Sequence, residues 1–89
     1  MITLASCPRC HGHATVFVRR FGRYGIEYAV GCKDNTCNVN TTFMPKSLDA
    51  MAERWNAGVG LVRAGEPIEC HGAREMHTLE VGEIWLERR

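Results

Sequence analysis

Polar and apolar positions along the chain change period three times, and each change marks an element. Residues 14–20 read Ala-Thr-Val-Phe-Val-Arg-Arg, with Val16 and Val18 alternating against Thr15 and Phe17. That period of two predicts a strand. Phe21-Gly22-Arg23-Tyr24-Gly25 follows, and its glycines predict a hairpin turn. Ile26-Glu27-Tyr28-Ala29-Val30 alternates again and predicts the returning strand. Thr41-Thr42-Phe43-Met44 is β-prone and suits a third strand.

The period then lengthens. Leu48, Met51, Ala52 and Trp55 fall at i, i+3, i+4 and i+7, which is one face of a helix. Ser47 suits the N-cap, Asp49 complements the positive end of the helix dipole, and Gly58 sits where a left-handed C-cap belongs. The spacing predicts a helix over about residues 48–57. Beyond it, Gly60, Gly65, Pro67 and Gly72 interrupt every pattern. Leu79-Glu80-Val81 and Ile84-Trp85-Leu86 read as short strands there, or as one distorted helical turn. The expected fold class is therefore small α+β: a β-hairpin packed by one α-helix over residues 1–58, which the cysteine pairs flanking the hairpin make a zinc-ribbon hairpin. A short extension over residues 59–89, read as β, packs on it or forms a partner-binding surface.

Size makes this picture incomplete without a staple. Units below about 70–80 residues bury only a modest core and often need a metal or disulfides, and residues 1–58 fall below that line. Cys7-Pro8-Arg9-Cys10 and the pair Cys32 and Cys37 supply one. A Cys-x2-Cys turn aims both sulfurs at one point, and two strands with a hairpin bring the second pair back to it. The pattern is close to a zinc signature, with a longer second loop in which Asp34-Asn35 is suitable turn chemistry. Cys7, Cys10, Cys32 and Cys37 are thus the expected ligands of one structural Zn2+, whose four thiolates leave no open position for metal-assisted catalysis.

Two other readings stand beside zinc. The cysteines are buried free thiols, or Cys7 and Cys10 form a redox pair; the latter needs a helix starting at the motif, where a strand is expected instead. His11, His13, Cys70, His71 and His77 widen the choice of ligands. Cys70-His71 is able to replace one cysteine, or to form a weak second site with His77.

Eleven Lys and Arg face ten Asp and Glu, giving a net charge of +1. A dedicated DNA-wrapping protein is far more basic, so global charge does not choose the partner. No run of about 18 apolar residues is present to span a membrane. No basic-then-apolar leader is visible either, so a cytoplasmic location with reduced thiols is expected. No Ser-His-Asp set, phosphate loop or paired catalytic carboxylates stands out, and a non-catalytic module is expected.

The Cys7-Pro8-Arg9-Cys10 knuckle, the hairpin, Cys32 with Cys37, and a helix ending Ala52-Glu53-Arg54-Trp55-Asn56 resemble the Lar-type restriction-alleviation zinc-ribbon family of phages and prophages. The resemblance covers about residues 4–58. It departs from the family at His11, which stands where glycine is usual with Gly12 one place later, and in the four residues between Cys32 and Cys37. What it implies is counter-defence: binding and modulating a host defence or DNA-processing complex in the host cytoplasm by protein contacts. The alternative is a nucleic-acid-binding ribbon. For that, Arg19, Arg20 and Arg23 with Tyr24 form a basic hairpin tip able to meet phosphates and stack on bases. The same residues, with Trp85 as an aromatic anchor, are the expected partner-binding set. Trp55 is expected to pack over the hairpin and shield the metal site, with Asn56 capping the helix or bonding the ribbon loop.

Overall fold

A computed structural model describes residues 2–20, 25–34, 36–70, 72–79 and 86–87 of the chain. Strand β1 (Ile2–Ala5) leads into the first cysteine pair, followed by β2 (Ala14–Arg20) and β3 (Ile26–Cys32). Strand β4 (Val39–Thr41) follows the second pair, then helix α1 (Leu48–Ala57) and strands β5 (Leu61–Arg63), β6 (Glu66–Pro67), β7 (Met76–Leu79) and β8 (Leu86–Glu87). One sheet runs β6-β5-β4-β3-β2-β8; it is antiparallel except for the β2–β8 pair. The other is the antiparallel ribbon β1–β7. The molecule is a small α+β fold with one helix among the described residues, as the periodicity predicts.

The hairpin register follows from the alternation. Val16 pairs with Val30 and Ala14 with Cys32, and all four are buried on the core face. The third strand begins earlier than expected, at Val39. Of residues 41–44 only Thr41 belongs to it, while Met44 forms a single bridge to Tyr28. Gly31 explains how β4 comes so close: a Cβ there would lie 2.7 Å from the Cβ of Asn40 and 3.0 Å from Phe17. After β5 the chain reverses at Ala64 and Gly65, both left-handed, which matches the right-handed strand twist and closes a tight hairpin.

Helix α1 starts and stops where its caps dictate. The Ser47 hydroxyl accepts the Ala50 N–H at 3.1 Å. Gly58 takes φ 73° and its N–H bonds Trp55 O, while Val59 N–H reaches Arg54 O at 2.9 Å. Met51, Ala52 and Trp55 are buried against the hairpin, Leu4, Leu61 and Leu79.

The end of the helix also holds the ribbon. Trp55 donates its indole N–H to Ala5 O at 2.7 Å. Asn56 Oδ1 accepts from Ala5 N at 2.7 Å, and its amide donates to Thr3 O at 3.1 Å. Asn56 is therefore neither a helix cap nor a contact to the ribbon loop. Its two-sided amide satisfies both polar groups of a strand, which a cap would not do. Arg74 completes the clamp by donating to Ser6 O, Trp55 O and Asn56 O, with its guanidinium 5.4 Å from the Trp55 ring centre. A cation over the last carbonyls of a helix also offsets its negative end.

Of the two strands expected late in the chain, Leu79 ends β7 and Leu86 opens β8. Residues 80–85, including Trp85, lie outside the described residues.

Candidate metal centre

Each cysteine pair is presented by a different local device. At the first, His11 N–H bonds Cys7 O at 3.0 Å and Cys7 N–H bonds Gly12 O at 2.8 Å, closing a tight loop. Arg9 N–H points at Cys7 Sγ and Gly12 N–H at Cys10 Sγ, each at 3.4 Å. Such amides stabilise negative sulfur and fix its direction. His11 adopts φ 63°, a conformation that costs a non-glycine residue about 1–2 kcal/mol but that His tolerates better than most. The close approach itself falls to Gly12, where a Cβ would stand 3.3 Å from Cys10 Sγ. The displaced glycine thus keeps the knuckle shape that His11 would seem to forbid.

At the second pair, Cys32 ends β3, directly opposite Ala14. The longer loop is organised by Asp34. Its carboxylate accepts from the Thr36 N–H at 2.9 Å and hydroxyl at 2.7 Å. Its carbonyl accepts from Cys37 N at 3.2 Å and Asn38 N at 3.3 Å. The Thr36 hydrogen bonds hold the Asp34 carboxyl below the usual range. Asn38, at φ 58°, turns the chain into β4.

The result is one cluster. The Sγ atoms of Cys7, Cys10, Cys32 and Cys37 all lie within 4.8 Å of one another. Cys7 and Cys37 are 3.5 Å apart and Cys10 and Cys32 are 3.4 Å apart. A disulfide needs about 2.05 Å, so these are free thiols. A tetrahedron of sulfurs each about 2.3 Å from a metal has edges of about 3.8 Å, so the cluster is close to that size. Four sulfurs are a donor set that suits zinc or another thiophilic ion.

Electrostatics favour a cation at this point. Burial pushes the Cys7 and Cys32 thiols up, and neighbouring sulfurs add to it. Burial also raises Cys37, but hydrogen bonds from Cys7, Cys10, Arg9 and Cys32 outweigh it and leave that thiol below its usual range. Arg9 Nη1 reaches Cys37 Sγ at 3.9 Å, and Arg63 donates to Cys37 O at 3.0 Å. Buried and neutral, the Cys7 and Cys32 thiols resist ionisation, and a dication would remove that penalty.

Of the other residues singled out from sequence, those that are described do not join this centre. Among the described residues the four-cysteine group is the one cluster of three or more ligands. Cys70 lies instead beside the helix end, where a Cβ on Gly58 would meet its Cβ at 2.8 Å. His77 stacks on His13 with ring centres 3.8 Å apart, and its buried Nε2 has no hydrogen-bond partner among the described residues. His71 lies outside the described residues. Arg19 pairs within the hairpin: Glu27 Oε1 takes its guanidinium at 2.6 Å, and the guanidinium sits 4.7 Å from the Phe43 ring centre. Arg20 is exposed at the end of β2, while Arg23 and Tyr24 lie outside the described residues. Arg9, Arg63 and Arg74 escaped the sequence reading; only the place of Arg9 inside the knuckle hints at a role.

No protein-family model, curated protein or solved structure matches the chain. No helix among the described residues is long and apolar enough to cross a membrane.

Proposed function

We propose that Cys7, Cys10, Cys32 and Cys37 hold one structural zinc ion, and that the chain is a non-catalytic module acting through contacts with a protein partner. The observation that carries this is the convergence of four sulfurs from two separate loops within 4.8 Å. Four protein thiolates fill a tetrahedral sphere, so the ion organises the fold and has no site left for substrate. Among candidate partners, the Cys-Pro-Arg-Cys knuckle and the Trp55-Asn56 helix end favour the kind the Lar-type resemblance implies: a host defence or DNA-processing complex, modulated as in restriction alleviation. The nucleic-acid alternative is weakened because Arg19 is neutralised by Glu27.

Three measurements test the reading in turn. Elemental analysis of the purified chain should give one zinc per molecule. Expression in a restricting bacterium should then raise the plating efficiency of unmodified phage, with no change in a host lacking the restriction system. A tagged pull-down should retain a defence or DNA-processing complex after nuclease treatment. Equal plating on both hosts, together with capture that vanishes under nuclease, would reject the counter-defence reading while leaving the zinc site standing.

A further inference from the structure

The four sulfurs are not equally sheltered. Cys7 is 0% exposed and Cys32 and Cys37 are each 2% exposed, whereas Cys10 is exposed. The difference follows from the chain path. Cys7 follows the buried run Leu4, Ala5 and Ser6, Cys32 closes a core strand, and Cys37 is covered by Arg9 and precedes buried Val39. Cys10 lies at the outer tip of the first knuckle, followed by exposed His11 and half-buried Gly12. The one backbone N–H directed at its sulfur is that of Gly12, and Cys32 Sγ lies 3.4 Å away.

We propose that Cys10 is a modification site for peroxides, with Cys32 as its resolving partner; the inference rests on the metal reading above. Oxidation follows thiolate character and exposure. A metal-held thiolate has the first, and only Cys10 of the set has the second. The Cys10 thiolate attacks one oxygen of hydrogen peroxide. The O–O bond breaks, hydroxide leaves, and Cys10 becomes a sulfenic acid. The Cys32 thiolate then attacks the Cys10 sulfur, forming the S–S bond and expelling a second hydroxide. Two protons convert both hydroxides to water, so two thiolates have lost two electrons and peroxide has gained them. A disulfide between Cys10 and Cys32 removes two of the four ligands, and Cys7 with Cys37 cannot retain the ion alone. Oxidation would thus dismantle the knuckles and whatever surface they support.

The test uses the zinc-loaded full chain carrying Cys70→Ser, which removes the cysteine outside the cluster. Equimolar hydrogen peroxide is added with a sulfenic-acid trap. Trapped and disulfide-linked peptides are mapped, and zinc release is read with a chromogenic chelator. The expected result is trapping at Cys10 first, then a Cys10–Cys32 disulfide formed in step with zinc release. In Cys10→His, which keeps a ligand but removes the thiolate, release should slow by about tenfold or more. First modification at Cys7, Cys32 or Cys37, or an even spread over all four, overturns the proposal even if the histidine variant fails to fold. So does zinc release without a Cys10–Cys32 disulfide. A chain that binds no zinc sinks the metal reading and this inference with it; a chain that holds zinc but is oxidised first elsewhere sinks this inference alone.

Discussion

Two parts of this molecule, the cysteine knuckles and the C-terminal turn of the helix, are held together by different physics. At the knuckles, turns built on His11, Gly12, Asp34 and Asn38 converge on four sulfurs. At the helix turn, Trp55, Asn56 and Arg74 bind a strand through an indole, an amide and a guanidinium, over a core of Leu4, Met51, Leu61 and Leu79. On the metal reading proposed above, the first would be undone by removing an ion, the second only by removing side chains.

The sharpest way to break the comparison is to take the metal away. Structural zinc sites of this type contribute on the order of 10 kcal/mol to folding, so a strong chelator should abolish the cooperative melt and added zinc should restore it. A melt and circular dichroism spectrum unchanged after stripping would falsify the knuckle half of the argument. Next in size, Trp55→Ala should cost about 3–5 kcal/mol by equilibrium denaturation while zinc stoichiometry stays unchanged, because the indole supplies no ligand. Loss of zinc in that variant would mean the two parts are one unit.

Asn56→Ala should cost about 2 kcal/mol, since it leaves Ala5 N–H and Thr3 O unbonded. Asn56→Asp keeps the acceptor but loses the donor, and should fall between the two on the same denaturation curve.

Acidity should separate loaded from stripped protein by sign. Metal-bound cysteines are deprotonated in the fold and protonated when unfolded, so stability of the loaded chain is lost as pH falls below the unfolded thiol pKa. In the stripped chain the raised Cys7 and Cys32 thiols bind protons more tightly when folded. Their contribution is present below the unfolded thiol pKa and lost as pH rises through the folded values, opposed in part by Cys37. Any structure the stripped chain retains should therefore melt lower at alkaline pH, the reverse of the loaded chain; parallel pH slopes would contradict this. The smallest effect expected is at Asp34. Its lowered carboxyl stabilises the loop above the unfolded carboxyl pKa and loses that contribution as pH falls through the folded value. Asp34→Asn should shift the melt only slightly and remove that acid-range dependence.

How much was legible in advance divides along the same line. Strand β2 and helix α1 fall on the residues that alternation and capping predict, since their signals lie inside the segments. The cysteine cluster was legible because ligand spacing is itself a local pattern. Strand β1 was missed: Ile2-Thr3-Leu4-Ala5 is too short to show a period, and its partner at Met76–Leu79 lies at the far end of the sequence. The early start of β4 was missed because it depends on Gly31, a residue on the neighbouring strand. Arg74 stands in a glycine-broken stretch where nothing announces three backbone carbonyls waiting for it.

The pairing of β1 with β7 has a consequence for synthesis. A ribosome delivers the chain from its N-terminus, so Ile2–Ala5 emerges early while its partner Met76–Leu79 is not yet made. Both cysteine pairs and helix α1 are complete in the meantime. The four cysteines could therefore take up an ion on a nascent chain whose first strand is held on one side by Trp55 and Asn56 and still open on the other. Assembly ends when a late segment finds that waiting edge, and a chain halted before residue 76 would carry the metal centre with an unpaired strand beside it.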